Sequence, residues 1–338
     1  MRLRPFGTVD GTDIGEVTIG EPDGLQARII TWGAVLRDLT LPVRGGQQHV
    51  VLGLDAMAHY IRHSRNFGAV VGRYANRIGG ASIRIDGQDV RLAVNEGRNT
   101  LHGGPAGFGK RVWTLDEHDA RSARLRLVSA DGDMGFPGTV IATALYEVLA
   151  PATLRVTLEA TADRTTPLNL APHTYFNLDG SADVRGHRLS VRAGHVTPTD
   201  GAGIPTGAVR PIAGTPLDYG TARPIRPPAA PYRPLDINYA LDGGQGDGLR
   251  SAAQLRSDRN GLVLDLWTTE PGLQVYDAAK VDVPAVSHGG LKLQPHCGIA
   301  LEPQRFPDGP NHASFPPALL RPGEVSRQVT EMRFTPSA

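Results

Sequence analysis

The chain has 338 residues, 40% of them hydrophobic, enough to bury a large core. Lys and Arg number 35 against 34 Asp and Glu, a formal net charge of +1 with the basic residues scattered, so neither nucleic acid nor a membrane surface is expected as a partner. The only cysteine, Cys297, excludes a disulfide framework within the chain.

No apolar run is long enough to cross a bilayer. The opening MRLRPFGTVDG has a charged start without the apolar region of a secretory signal, so a cytoplasmic location is expected. Gly (41) and Pro (27) together make about a fifth of the chain, a proportion that suits many strands joined by tight turns.

In chain order, residues 55–63 predict a short helix, and long helical periodicity is otherwise nearly absent. ASIRIDGQDV (81–90) alternates Ile83 and Ile85 before Asp86-Gly87, a hairpin signal. ARLRLVSAD (123–131) sets Leu125 and Leu127 against Arg124 and Arg126. TLRVTLEATAD (153–163) sets Leu154, Val156 and Leu158 against Arg155, Thr157 and Glu159. The period of two returns in HRLSVRAGHV (187–196) and GLVLDLWTTE (261–270). Between them, the proline-rich 221–235 reads as a surface loop, because strand patterning continues on both sides. One-sided strands at short spacing predict an all-β antiparallel sandwich or barrel, as one domain over 1–338.

Several motifs are incomplete. GPAGFGK (104–110) has phosphate-loop spacing, but Arg111 stands where a Ser or Thr would hold Mg²⁺. HYIRH (59–63) spaces two histidines as a zinc helix does and lacks the Glu. His296 and Cys297 are adjacent, so on a strand they face opposite ways and form no dyad. Trp32, Trp113 and Trp267 alternate with apolar neighbours and read as core.

Polar residues gather in apolar company at four places: VGRYANRIGG (71–80), NEGRNTLHGG (95–104), PLNLAPHTYFNL (167–178) and GIALEPQRFPDGPN (298–311). Each alone is as well explained by a satisfied structural residue. Together they supply two histidines, arginine and a carboxylate at strand edges, a set suited to a polyhydroxylated neutral molecule and proton transfer.

The blocks VGRYANRI, NTLHGG, NLAPHTYFNL, LDINYAL, PGLQVY, IALEPQRFPDGPNHASFP and LLRPGE, in this order, resemble the aldose 1-epimerase (mutarotase) family. The resemblance covers essentially the whole chain and implies a large antiparallel β-sandwich with few short helices. It places Glu302 at the general-base position and His173 at the general-acid position. It assigns sugar contacts to Asn76, Arg77, His102, Asp236 and Gln274, with Thr174 and Tyr175 lining the site and Arg73 structural. Where the family continues from Tyr276 with Thr-Gly-Asn, this chain has Asp277-Ala278-Ala279-Lys280, which alters a pocket wall and bears on sugar preference.

The implied reaction interconverts α and β anomers of a free aldose. A proton leaves the C1 hydroxyl as another reaches the ring oxygen, the open aldehyde rotates about C1–C2, and the ring recloses. An ionised Glu302 and a protonated His173 suit the opening step, and no metal or other cofactor is needed. The partner expected is a small aldose, and the protein a monomer or homodimer. Competing readings are a glycoside hydrolase using Asp236 and Glu302, a hexose 6-phosphate 1-epimerase, and a carbohydrate-binding module without turnover.

Overall fold

The computed structural model describes residues 3–44, 46–64, 66–226, 234–244, 246 and 248–335. Of the proline-rich 221–235, residues 227–233 lie outside these. Arg223–Pro224, before them, forms a short edge strand against Arg188–Val191 instead of a plain loop.

Three antiparallel sheets carry the fold. The N-terminal sheet runs Arg4–Val9, Thr12–Gly20, Gln26–Ile30, Val35–Val43 and Gly46–His49 in sequential order. A nine-stranded sheet orders Thr114–His118, Ser122–Ser129, Val140–Leu149, Thr153–Ala162, Ser326–Thr335, Val263–Thr268, Arg250–Arg256, Arg188–Val191 and Arg223–Pro224. A six-stranded sheet orders Tyr175–Phe176, Ile299–Gln304, Gly272–Tyr276, Asp236–Ala240, His195–Thr197 and Arg210–Pro211.

The alternation in the sequence explains their stacking. Leu125, Leu127, Leu154, Val156 and Leu158 face inward, and Leu273, Val275, Ile299 and Leu301 meet the same core from the six-stranded sheet. Ile19 and Leu39 of the N-terminal sheet join them. Burying each such side chain contributes about 1.5–3 kcal/mol.

The expected hairpin is present: Ser82–Ile85 pairs with Gln88–Arg91, and Asp86 (φ 50°) and Gly87 (φ 81°) both take the left-handed region that a type I′ turn requires. The one α-helix among the described residues is Met57–His63, two residues shorter at its start than expected. Trp32 and Trp113 are core. Trp267 is not: it lies half-buried on the outer face of its strand, with the Arg333 guanidinium 4.1 Å above its ring.

Candidate active site

Period two and sheet register build the site. In the six-stranded sheet Thr197 lies opposite Asn238, Asn238 opposite Gln274, and Gln274 opposite Glu302. Four strands thus line up one polar side chain each on the face away from the core. One row along, Asp236, Tyr276, Ala300 and Tyr175 are opposite one another on that same face. The intervening residues Val196, Tyr239, Leu273, Val275 and Leu301 fill the main core. The same alternation that buries the sheet's apolar face lays out a polar floor on its other face.

His173 reaches this floor from a linker between two short strands. Ala171–Pro172 pairs with Val70–Val71, and Tyr175–Phe176 pairs with the Glu302 strand. Both main-chain groups of His173 are tied down: its N–H donates to Ala69 O (2.8 Å), and its carbonyl accepts from Gly68 N (2.9 Å). Its ring sits 5.1 Å from the His102 ring and 5.1 Å from that of Tyr175. His173 Nε2 lies 3.4 Å from Glu302 Oε2, with both side chains buried. Among the described residues, His173 Nδ1 and Glu302 Oε2 make no hydrogen bond, so both are open to a ligand.

The opposite wall comes from the arginine and Leu-His-Gly-Gly blocks. Asn76 (φ 62°) and His102 (φ 51°) both adopt the left-handed backbone region, which is costly outside glycine. They brace each other: His102 N donates to Asn76 O (2.9 Å), and Asn76 N donates to His102 Nδ1 (3.1 Å). An accepting Nδ1 leaves the proton of neutral His102 on Nε2, so the ring is a hydrogen-bond donor there. Arg77 is clamped by Glu96 through Nε (2.6 Å) and Nη2 (2.8 Å). Gln274 Nε2 donates to Asp236 Oδ1 (2.7 Å), fixing the orientation of both.

These groups line one cavity of about 350 Å³ that holds Asn76, Arg77, His102, His173, Tyr175, Asp236, Gln274 and Glu302. That lies within the range of small-molecule sites. Thr174 does not join them. It is buried outside the cavity lining, and its hydroxyl has no hydrogen-bond partner among the described residues. Arg73 stands apart from the cavity, its guanidinium spending six hydrogen bonds on Ser129, Ala130, Pro137, Gly138 and Thr166. Polar cavity residues without a sequence assignment include Glu96, Asn66, Tyr276, Lys110 and Lys280. Glu96 and Tyr276 stand inside the quoted blocks, and polar character beside Arg77 and Gln274 was the available signal.

Burial dominates the electrostatics. It pushes His173 down to about 4. It pushes Glu302 well above the usual carboxyl range, helped by the charge of Asp236 and opposed by Arg77. His102 is held well below the ordinary histidine value by burial and then by His173, Arg77 and Lys110. The ligand-free pair therefore favours carboxylic acid beside neutral imidazole, not the ion pair expected from sequence. Desolvation penalises both charged forms. The proton count is unchanged, since either arrangement holds one proton between the two groups.

A β-sandwich whose polar sheet face sets a buried carboxyl beside an imidazole, in a small-molecule cavity rich in hydrogen-bonding side chains, is fitted to handle carbohydrate. The family profile described as aldose 1-epimerase matches residues 15–333. Galactose mutarotase from Bos taurus is 36% identical over 320 residues, covering 93% of this chain and 92% of its own. Aldose 1-epimerase from Escherichia coli (strain K12) is 35% identical over 337 residues, covering 96% of each. Among solved structures, the GalM/aldose epimerase homologue from C. elegans superimposes with a TM-score of 0.90 at 29% identity, over 96% of this chain and 100% of its own. Galactose 1-epimerase from Lactobacillus acidophilus gives 0.83 at 26% identity, over 100% and 99%. The chain belongs to the aldose 1-epimerase family, a family of isomerases.

Proposed function

We propose that this protein is an aldose 1-epimerase that interconverts the anomers of free aldoses such as glucose or galactose, with Glu302 and His173 as its proton carriers. The observation that carries this reading is the 3.4 Å approach of His173 Nε2 to Glu302 Oε2 at the floor of a cleft lined by hydroxyl-binding groups.

In the proposed cycle, the sugar's hydroxyl groups replace water around the pair. The C1 hydroxyl donates to the Glu302 carboxylate, and the ring oxygen accepts from the His173 imidazolium. These hydrogen bonds stabilise the charged forms that burial disfavours. Opening then moves the C1 hydroxyl proton to Glu302 and the His173 proton to the ring oxygen, which becomes the C5 hydroxyl. The C1–O5 bond breaks, and C1 becomes an aldehyde. Both groups end neutral, the arrangement the buried site prefers, so desolvation favours the ring-opened state. Rotation about C1–C2 and the reverse transfers return the other anomer, with no net proton consumed.

Asn76, Arg77, His102, Asp236 and Gln274 hold the remaining hydroxyls through the transfers, Arg77 and Asp236 with charge-assisted bonds. A hydrolase built on Asp236 and Glu302 receives less support, because an imidazole stands beside Glu302 and Asp236 is exposed and bonded to Gln274. Lys110 and Lys280 line the cavity, Lys280 within the altered Asp277–Lys280 segment, which gives specific reason to include a phosphorylated hexose in the test. The reading takes residues 1–338 as one domain of a cytoplasmic protein, monomeric or homodimeric.

Polarimetry on fresh α-glucose, α-galactose, arabinose, xylose and glucose 6-phosphate tests it. Acceleration of free aldoses above the buffer rate supports the proposal. Acceleration of the phosphate ester alone, or nitrophenol release from aryl glycosides without mutarotation, overturns it.

A further inference from the structure

Outside the candidate active site, three chemistry-bearing side chains converge from distant parts of the chain. Asp38 lies on strand Val35–Val43, His49 on strand Gly46–His49, and His288 in the short turn His288–Gly290. One potential ligand atom from each falls within 4.8 Å of the other two. We propose that Asp38, His49 and His288 form a binding site for a divalent first-row transition metal, of which zinc is the type.

The geometry fits that class. Asp38 Oδ1 is 2.8 Å from His49 Nδ1 and 3.8 Å from His288 Nε2. Zinc bonds of about 2.0–2.2 Å to N and O set tetrahedral ligand atoms about 3.4 Å apart. The two observed separations bracket that value, so small side-chain rotations suffice. Two imidazoles with one carboxylate favour zinc, cobalt, nickel or copper over calcium and magnesium, which take oxygen ligands.

The surroundings are built. Asp38 is 1% exposed, a position a carboxylate rarely takes without compensation. Its Oδ2 makes no hydrogen bond among the described residues, and Arg28 Nη1 stands 3.6 Å away, placed to orient the carboxylate while Oδ1 coordinates. The two imidazoles stack at 5.0 Å with 20° between their planes.

His288 is positioned from behind. Its Nε2 lies 2.9 Å from Arg37 O, a hydrogen bond that coordination through this nitrogen would replace. Gly53 packs against it closely enough that a Cβ there would fall 2.9 Å from Nε2 and 1.9 Å from Arg37 O. Ser287 Oγ accepts from Gly53 N (3.0 Å), fastening the turn to the N-terminal half.

His49 and His288 open onto a cavity of about 350 Å³ that shares no lining residue with the candidate active site. A ligand from solvent would complete the coordination through this cavity, which Lys292 also lines. The bound ion would clip the His288 turn to strands more than 200 residues earlier in the chain.

Titration of the full metal-stripped chain with Co²⁺, followed by visible absorption and by Zn²⁺ competition in calorimetry, tests the site. The expected result is one tight equivalent with an intense low-symmetry spectrum, displaced by Zn²⁺, which also raises the melting temperature. His49→Gln, chosen because His49 is the most exposed of the three, should weaken binding at least ~100-fold, beyond the ~10–100-fold cost of losing an outer partner of a metal ligand. Asp38→Asn is the second variant, and mutarotation is the check that each remains folded. The helix pair His59 and His63 is the internal competitor. Binding that survives His49→Gln and disappears in His59→Gln, or a wild-type spectrum of weak octahedral Co²⁺ only, overturns the proposal.

Discussion

Replacing Glu302 by Gln preserves side-chain shape and removes one of the two proposed proton carriers. Glu302 is 2% exposed, its Oε2 has no hydrogen-bond partner among the described residues, and burial with the charge of Asp236 raises its pKa well above the usual range. Loss of one positioned general base costs about 10²–10⁴ in kcat/KM. That corresponds to roughly 3–5 kcal/mol of transition-state stabilisation. The same substitution acts oppositely on the fold. A carboxyl whose pKa is higher folded than unfolded binds more protons in the native state. Its contribution to stability is then lost as pH rises from the unfolded value, about 4.3, through the folded one. Glutamine carries no such slope. Urea melts from pH 4 to 8 should show Glu302→Gln matching wild type near pH 4 and exceeding it at pH 8, while polarimetry shows the activity loss. Activity within tenfold of wild type excludes Glu302 as the base, and a variant less stable than wild type at pH 8 but not at pH 4 excludes a raised Glu302 pKa.

Asp236→Asn removes a charge that raises the Glu302 pKa, so the high-pH limb of kcat/KM should move to lower pH, whereas Arg77→Met should move it higher. A pH–rate profile of each variant reads the direction whatever its KM. Gly272→Ala places a Cβ 2.6 Å from Asn238 Oδ1 and 3.0 Å from Gln304 O. The displaced polar floor should cost about 1–3 kcal/mol in denaturant unfolding, and an unchanged midpoint would show that the floor yields freely. Cys297 is buried, and burial lifts its thiol to about 12. The folded protein should therefore resist iodoacetamide at pH 8 and label only when unfolded, which mass spectrometry reports.

Strand patterning was legible because each strand buries one face: Leu154, Val156 and Leu158 declared both the strand and its inner side. The Asp86-Gly87 turn was legible because its backbone demands residues that tolerate positive φ. Trp267 misled because an aromatic residue between apolar neighbours can equally lie outward under a guanidinium. Blocks of sequence brought out His173, Glu302, Arg77 and Gln274, but register joined them. Gln274 opposite Glu302, and Glu96 clasping Arg77 from 19 residues away, depend on strand pairing that no local pattern encodes. The protonation of the pair was hidden for a related reason. An ordinary histidine near 6.5 and glutamate near 4.3 suggest an ion pair, and only the depth of burial reverses that preference. Asp38, His49 and His288 lie too far apart in sequence for any spacing motif to unite them.

On the proposed mechanism, His173 and Glu302 exchange protons with the C1 and ring oxygens of a bound aldose. Two-dimensional exchange NMR on equilibrated ¹³C1-labelled glucose measures α–β interconversion directly, with no optical change required. Wild-type protein should produce anomer cross-peaks at mixing times where buffer gives none. His173→Asn and Glu302→Gln should each return exchange to near the buffer rate while line broadening of the sugar signals shows continued binding. Cross-peaks of near wild-type intensity in either variant would contradict the account.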